Sequence, residues 1–125
     1  MTKDELRILV CDDSILARKF IKDSLKRLEC ENIEEAKDGQ SSIDSYNEFK
    51  PHIVFLDIIM PNKNGVEVTK EIMAADPDAT IVIISSVGTK QFLEDALTAG
   101  ARDFIQKPFT DESIAKVIDK YISNH

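Results

Sequence analysis

The sequence contains no apolar run approaching the roughly 18 residues of a membrane-spanning helix, so no such span is expected. It has only two cysteines, Cys11 and Cys30, too few for a disulfide framework or a zinc site. Cys11 falls in a stretch that reads as buried strand, so two reduced core or near-core thiols are expected. There is no excess of basic charge: 16 Lys and Arg face 23 Asp and Glu, a formal net charge of −7. That argues against nucleic-acid binding through a basic face and is compatible with a local acidic cluster holding a divalent cation. The opening Met1-Thr2-Lys3-Asp4-Glu5 has no apolar core of a signal peptide, which predicts a cytoplasmic protein. No repeat, low-complexity segment or second domain is apparent. At 125 residues, one core suffices, and residues 1–125 are expected to form a single domain.

What the sequence does contain is organised around Ile53-Val54-Phe55-Leu56-Asp57. Nothing in Ile53–Leu56 alternates with polar residues, so this reads as a strand buried on both faces of a parallel sheet. Pro61, Asn62, Asn64 and Gly65 mark the loop after it, which puts Asp57 at the strand's carboxyl end. A lone acid in an apolar strand is costly unless it has partners.

The rest of the chain alternates strands with helices. Leu6–Cys11 is an apolar strand ending on Asp12-Asp13, and Ala17, Ile21, Leu25 and Leu28 then recur at helical spacing. Asn32–Ala36 is a polar strand suited to a sheet edge, and Ile43, Tyr46 and Phe49 mark a helix stopped by Lys50-Pro51. After the Asp57 strand, Val68, Ile72 and Ala75 give a third helix face. Thr80–Ile84 is an apolar strand ending on Ser85-Ser86. A helix over Thr89–Ala99, with Phe92, Leu93, Ala96 and Leu97 inward, ends at Gly100. Asp103–Gln106 is a short strand, and Thr110 caps a last helix carrying Ile114, Val117, Ile118, Tyr121 and Ile122 on one face.

Five alternating pairs imply an α/β fold with a parallel sheet. The polar second strand and the short fifth belong at the edges. The predicted order is 2-1-3-4-5, a flavodoxin-like (βα)5 doubly wound sheet. Right-handed crossovers put the first and last helices on one face and the middle three on the other. This order sets Asp12 and Asp13 beside Asp57 at the topological switch point, where ligands of such sheets bind. It brings Ser85 from the neighbouring strand and Lys107 from one strand further out. Taken singly, Asp13 or Ser14 is a helix cap, Ser85 a strand-end hydroxyl and Lys107 a surface lysine. Together they suit phosphoryl chemistry: carboxylates for Mg²⁺, a hydroxyl and an ammonium for phosphoryl oxygens, and Asp57 as an anionic nucleophile.

At this point the chain resembles a known family. Leu9–Ser14, Phe55–Gly65, Ile84-Ser85-Ser86 and Gly100–Phe109 look like the receiver domain of two-component response regulators, most like its single-domain chemotaxis branch. The resemblance implies that Asp57 accepts a phosphoryl group from the phosphohistidine of a sensor histidine kinase. It implies Mg²⁺ held by Asp12, Asp13, Asp57 and the Ile59 backbone carbonyl, phosphoryl contacts from Ser85 and Lys107, and a cis Lys107–Pro108 peptide. It also implies a switch in which Ser85 moves and Phe104 turns from exposed to buried. The readout surface is then the fourth helix, fifth strand and fifth helix, around Lys90, Phe92, Phe104 and Lys120. The implied partner is a downstream protein such as a flagellar motor switch protein, bound by a monomer, with no nucleic acid and no membrane involved.

Two departures bear on timing. Ile59 and Val87, each two residues beyond a site residue, are apolar where fast self-dephosphorylating members often carry polar groups, so slow hydrolysis of phospho-Asp57 is expected. Phe104 lacks the hydroxyl of the tyrosine often found at the switch position. A rival within the family is a phosphorelay intermediate that passes the group to a histidine phosphotransfer protein. An aspartate-nucleophile phosphatase would want an acid where Ile59 stands. A flavin module would want a Ser/Thr/Gly-rich loop in place of Asp12-Asp13.

Overall fold

A computed structural model describes residues 1–125. A single 3₁₀ turn (Lys3–Glu5) leads into β1 (Arg7–Cys11), α1 (Ile15–Arg27), β2 (Asn32–Ala36), α2 (Gly39–Phe49) and β3 (Ile53–Asp57). There follow α3 (Gly65–Ala75), β4 (Ile81–Ser85), α4 (Lys90–Ala99), β5 (Asp103–Gln106) and α5 (Asp111–Asn124). All five strands are parallel, in the order β2-β1-β3-β4-β5, which makes the chain a flavodoxin-like (βα)5 fold as expected.

Helix boundaries follow local chemistry. Ser14 Oγ accepts the Ala17 N–H at 3.2 Å, so Ser14 rather than Asp13 caps α1. Asp38, Asn64 and Thr110 each form capping boxes with the residue three positions on. α1 ends through Glu29 at φ +69°, with the Cys30 N–H returning to Leu25 O at 2.9 Å. α2 ends at Lys50, φ +51°, ahead of Pro51. The Lys107–Pro108 peptide is cis.

Strand alternation divides the apolar side chains between two cores. Leu9, Val54, Leu56, Ile81 and Ile83 meet Tyr46, Val68, Ile72 and Ala96 under α2, α3 and α4. Ile8, Val10, Phe55, Val82 and Ile84 meet Ile21, Leu25, Ile114 and Ile118 under α1 and α5. β1, β3 and β4 are therefore covered on both faces, whereas β2 leaves Asn32, Glu34 and Glu35 exposed at its edge. Both cysteines are buried and unpaired. No helix is long and apolar enough to cross a membrane.

Two helix faces differ from expectation. α4 buries Ala96 and half-buries Leu93, but Phe92 and Leu97 stay 40% and 37% exposed. The four apolar residues form a stripe wider than the surface available where α4 packs beside α3 at the β4 side of the sheet. Ala75 is likewise exposed, because it is the last residue of α3 and lies past the sheet.

Candidate functional site

The parallel register brings the strand ends together. Cys11 pairs with Leu56, so Asp12 and Asp13 emerge beside Asp57. Asp57 itself pairs with Ile84, and Ser85 pairs with Gln106, which puts Lys107 just past the end of β5. The carboxylate oxygens of Asp12, Asp13 and Asp57 lie within 4.8 Å of one another. Lys107 Nζ is 3.4 Å from Asp12 Oδ2 and 3.8 Å from Asp57 Oδ2.

Each carboxylate is held differently. Asp12 is fully buried; its Oδ1 accepts the Ser14 N–H at 2.9 Å, and its backbone carbonyl accepts Arg18 Nη1 at 2.6 Å. Asp13 faces solvent. Asp57 is 7% exposed. Burial above all, then the negative charge of Asp12, pushes its carboxyl up from 3.8 to about 7, against the opposing pull of Lys107 and the Ile59 N–H.

Three crowded acids balanced by one ammonium form an oxygen-only donor set with one side open to water. That fits a hard divalent cation, whose charge would relieve the repulsion that raises the Asp57 pKa. The local backbone is built around this cluster. The Gly65 N–H donates to Ile58 O at 2.8 Å, and a Cβ on Gly65 would lie 2.8 Å from both Asp57 O and Ile58 Cα. Only glycine lets α3 start this close to the acid.

Ser85 is brought to the neighbouring strand end, and its side chain makes no hydrogen bond to the carboxylates. It is buried and has the parity of Ile81 and Ile83, which face α2–α4, while Asp57 has the parity of Phe55 on the other face. Its backbone carbonyl accepts the Lys107 N–H at 2.8 Å. Phe104 lies outward on β5, 46% exposed, and Lys120 on α5 has its Nζ 3.8 Å from the Asp103 carboxylate. Lys90 and Phe92 lie exposed on α4.

The helical spacing of α1 identified its buried stripe but not its outer face. Ile15, Leu16 and Phe20 are exposed apolar residues on the helix that opens directly from Asp12-Asp13. Phe20 meets Phe109 edge to face at 5.3 Å, beside a hollow of about 210 Å³ that includes Lys107 and Pro108. Ile59 and the 90%-exposed Val87 are also exposed apolar residues on the loops after β3 and β4. The signal was in the sequence: three large apolar residues off the 21/25/28 stripe have no core to enter.

Residues 8–119 match the family model for the response regulator receiver domain. The chain is 39% identical over 114 residues to the chemotaxis protein CheY of Thermotoga maritima, covering 91% of this chain and 95% of that one. It is 38% identical over 117 residues to the chemotaxis protein CheY of Bacillus subtilis, covering 94% and 98%. Among solved structures, the receiver domain of NtrX from Brucella abortus superposes with a TM-score of 0.86 at 30% identity, covering 94% of this chain and 99% of that one.

Proposed function

The chain belongs to the family of response regulator receiver domains, and on that premise we propose that Asp57 accepts a phosphoryl group from the phosphohistidine of a sensor histidine kinase. The observation that carries this reading is the convergence of three carboxylates and Lys107 at the ends of β1, β3 and β5. An Asp57 oxygen forms the new P–O bond while the P–N bond breaks, and the departing imidazole keeps the electron pair. The nucleophile attacks as an anion, so no general base is required. Its raised pKa, about 7, leaves about half of the carboxyl protonated at neutral pH before a cation binds, and Lys107 opposes that shift. Asp12, Asp13, Asp57 and the Ile59 carbonyl would hold Mg²⁺, which supplies charge neutralisation for the phosphoryl oxygens. Lys107 lies within reach of the same oxygens.

Ser85 has to swing with the loop between β4 and α4 to touch a phosphoryl group on Asp57, because its side chain has the opposite parity. That swing is the proposed switch, with Phe104 turning inward and the α4–β5–α5 surface around Lys90, Phe92 and Lys120 read by a partner. The full-length match to chemotaxis proteins supports a flagellar motor switch protein as that partner. Turnover is confined to the domain's own phosphotransfer and self-dephosphorylation, since Ile59 leaves no acid positioned to protonate the leaving group of an external ester.

The test is incubation with acetyl phosphate and Mg²⁺, read by intact mass. A gain of one phosphoryl group that Asp57→Asn abolishes is expected; a gain that persists in Asp57→Asn overturns the assignment. Pull-down with the phosphorylated protein then tests the partner, and failure to enrich a motor switch protein removes the chemotaxis reading alone.

A further inference from the structure

The loop between β3 and α3 carries Ile59 yet is fastened at its apex by a different part of the chain. Its two ends are tied to β4 and to each other, by Ile58 N–H to Ile84 O at 3.2 Å and Gly65 N–H to Ile58 O at 2.8 Å. Between them, Pro61 O accepts the Gly39 N–H at 3.1 Å, from the start of α2 just past the turn after β2. A Cβ on Gly39 would collide with the backbone carbonyl of Lys63, so the turn and the loop touch through their main chains. Asn62 sits at φ +69°, a left-handed conformation that asparagine tolerates better than most residues. With its amide oriented to satisfy its neighbours, its nitrogen donates to both Asp38 carboxylate oxygens at 3.2 Å. Asp38 also accepts the Ser41 N–H at 2.8 Å as the cap of α2, so its position is fixed by the helix it starts.

We infer that Asp38 and Asn62 form a clasp that positions the Ile59 backbone at the acidic cluster and thereby sets the affinity for Mg²⁺. This rests on the metal reading above. The clasp is built from charge-assisted hydrogen bonds to an anion whose own helix anchors it. Mg²⁺ demands near-ideal octahedral geometry, so a carbonyl ligand that wanders costs affinity. Asp38 and Asn62 are positioning residues: neither belongs to the three-carboxylate cluster. Their leverage comes from holding the loop apex, three residues from the carbonyl that the cluster would share.

Asn62→Gly keeps the left-handed turn and removes the amide. Asp38→Ser keeps a cap for α2 and removes the carboxylate. Titration of each unphosphorylated protein with Mg²⁺ alone should show binding weakened about tenfold in both. The double variant should be no weaker than either single one, because both changes open the same clasp. Lys63→Ala removes a surface ion pair of the same loop, Lys63 to Glu71 at 2.7 Å, and should leave Mg²⁺ affinity unchanged. Affinity within about twofold of wild type in Asn62→Gly, or an equal loss in Lys63→Ala, overturns the inference. Absence of Mg²⁺ binding by the wild-type protein instead refutes the metal reading. The clasp is then judged by amide exchange at Ile59 to Lys63 in the metal-free protein, expected to be about tenfold faster in Asn62→Gly and overturned if unchanged.

Discussion

Replacing Asp57 with Asn should stabilise the metal-free protein, and by an amount that grows with pH. Burial and the Asp12 charge raise the Asp57 carboxyl from 3.8 to about 7 in the folded protein. Because the folded pKa lies above the unfolded value, the folded protein keeps a proton between about pH 4 and pH 7 that the unfolded chain has released. The stability contributed by this group is full below the unfolded pKa and is lost as pH rises through 7. Integrated from pH 5 to pH 8, the loss is about 2.5 kcal/mol. Asparagine does not titrate, so the advantage of the variant over wild type should widen by that amount across the interval. Urea unfolding of both proteins at pH 5 and pH 8 in chelator measures it, provided the m-values agree. Saturating Mg²⁺ at pH 8 should shrink the gap, because a cation held more tightly by the folded wild type than by the variant stabilises the wild type further by mass action. A gap equal at both pH values would refute the reasoning, since Asp57 would then behave as an ordinary solvated carboxylate.

Other consequences are equally direct. Ile59→Asn combined with Val87→Glu supplies polar groups for an attacking water and should shorten the lifetime of phospho-Asp57 about tenfold or more, read from the decay of the phosphorylated mass. Arg27 and then Ser24 hold the Asp111 carboxyl at about 2, through bonds of 2.7 and 2.8 Å from Arg27 and 2.6 Å from Ser24. That depressed pKa means its tie between α1 and α5 is present above pH 4 and lost as pH falls through 2. Asp111→Asn should therefore lower the unfolding midpoint at pH 7 and converge on wild type towards pH 2. Gly65→Ala forces a Cβ against backbone that cannot yield and should cost about 2 kcal/mol in urea unfolding, with weakened phosphoryl uptake.

The sheet order was legible because burial of strands is written in their composition. Val54–Leu56 and Ile81–Ile84 carry no polar alternation, whereas Glu34 and Glu35 mark an edge. That order alone brings Asp12, Asp13, Asp57 and Lys107 together, so four members of the site could be placed from the chain. What could not be read depends on how much surface a neighbour offers. Phe92 and Leu97 lie on the apolar side of α4 by spacing, yet the area available to α4 admits only Ala96 fully. The tie from Asp38 to Asn62 was equally hidden, since it joins two polar turns 24 positions apart in the chain whose meeting depends on a glycine with no room for a methyl group. Ser85 illustrates a third limit: its strand and register were clear, but alternation turns it away from the residue it would serve.

The sheet that separates the two cores also acts as an insulator. Each buried apolar side chain belongs to one core or the other, so substitutions on opposite sides, such as Ile72→Val on α3 and Ile21→Val on α1, fall in separate clusters and their costs should simply add. The α4–β5–α5 surface crosses that partition, since α4 packs on one side of the wall and α5 on the other. A surface laid across a seam can change its contour by sliding one half against the other, with both interiors left packed as they were.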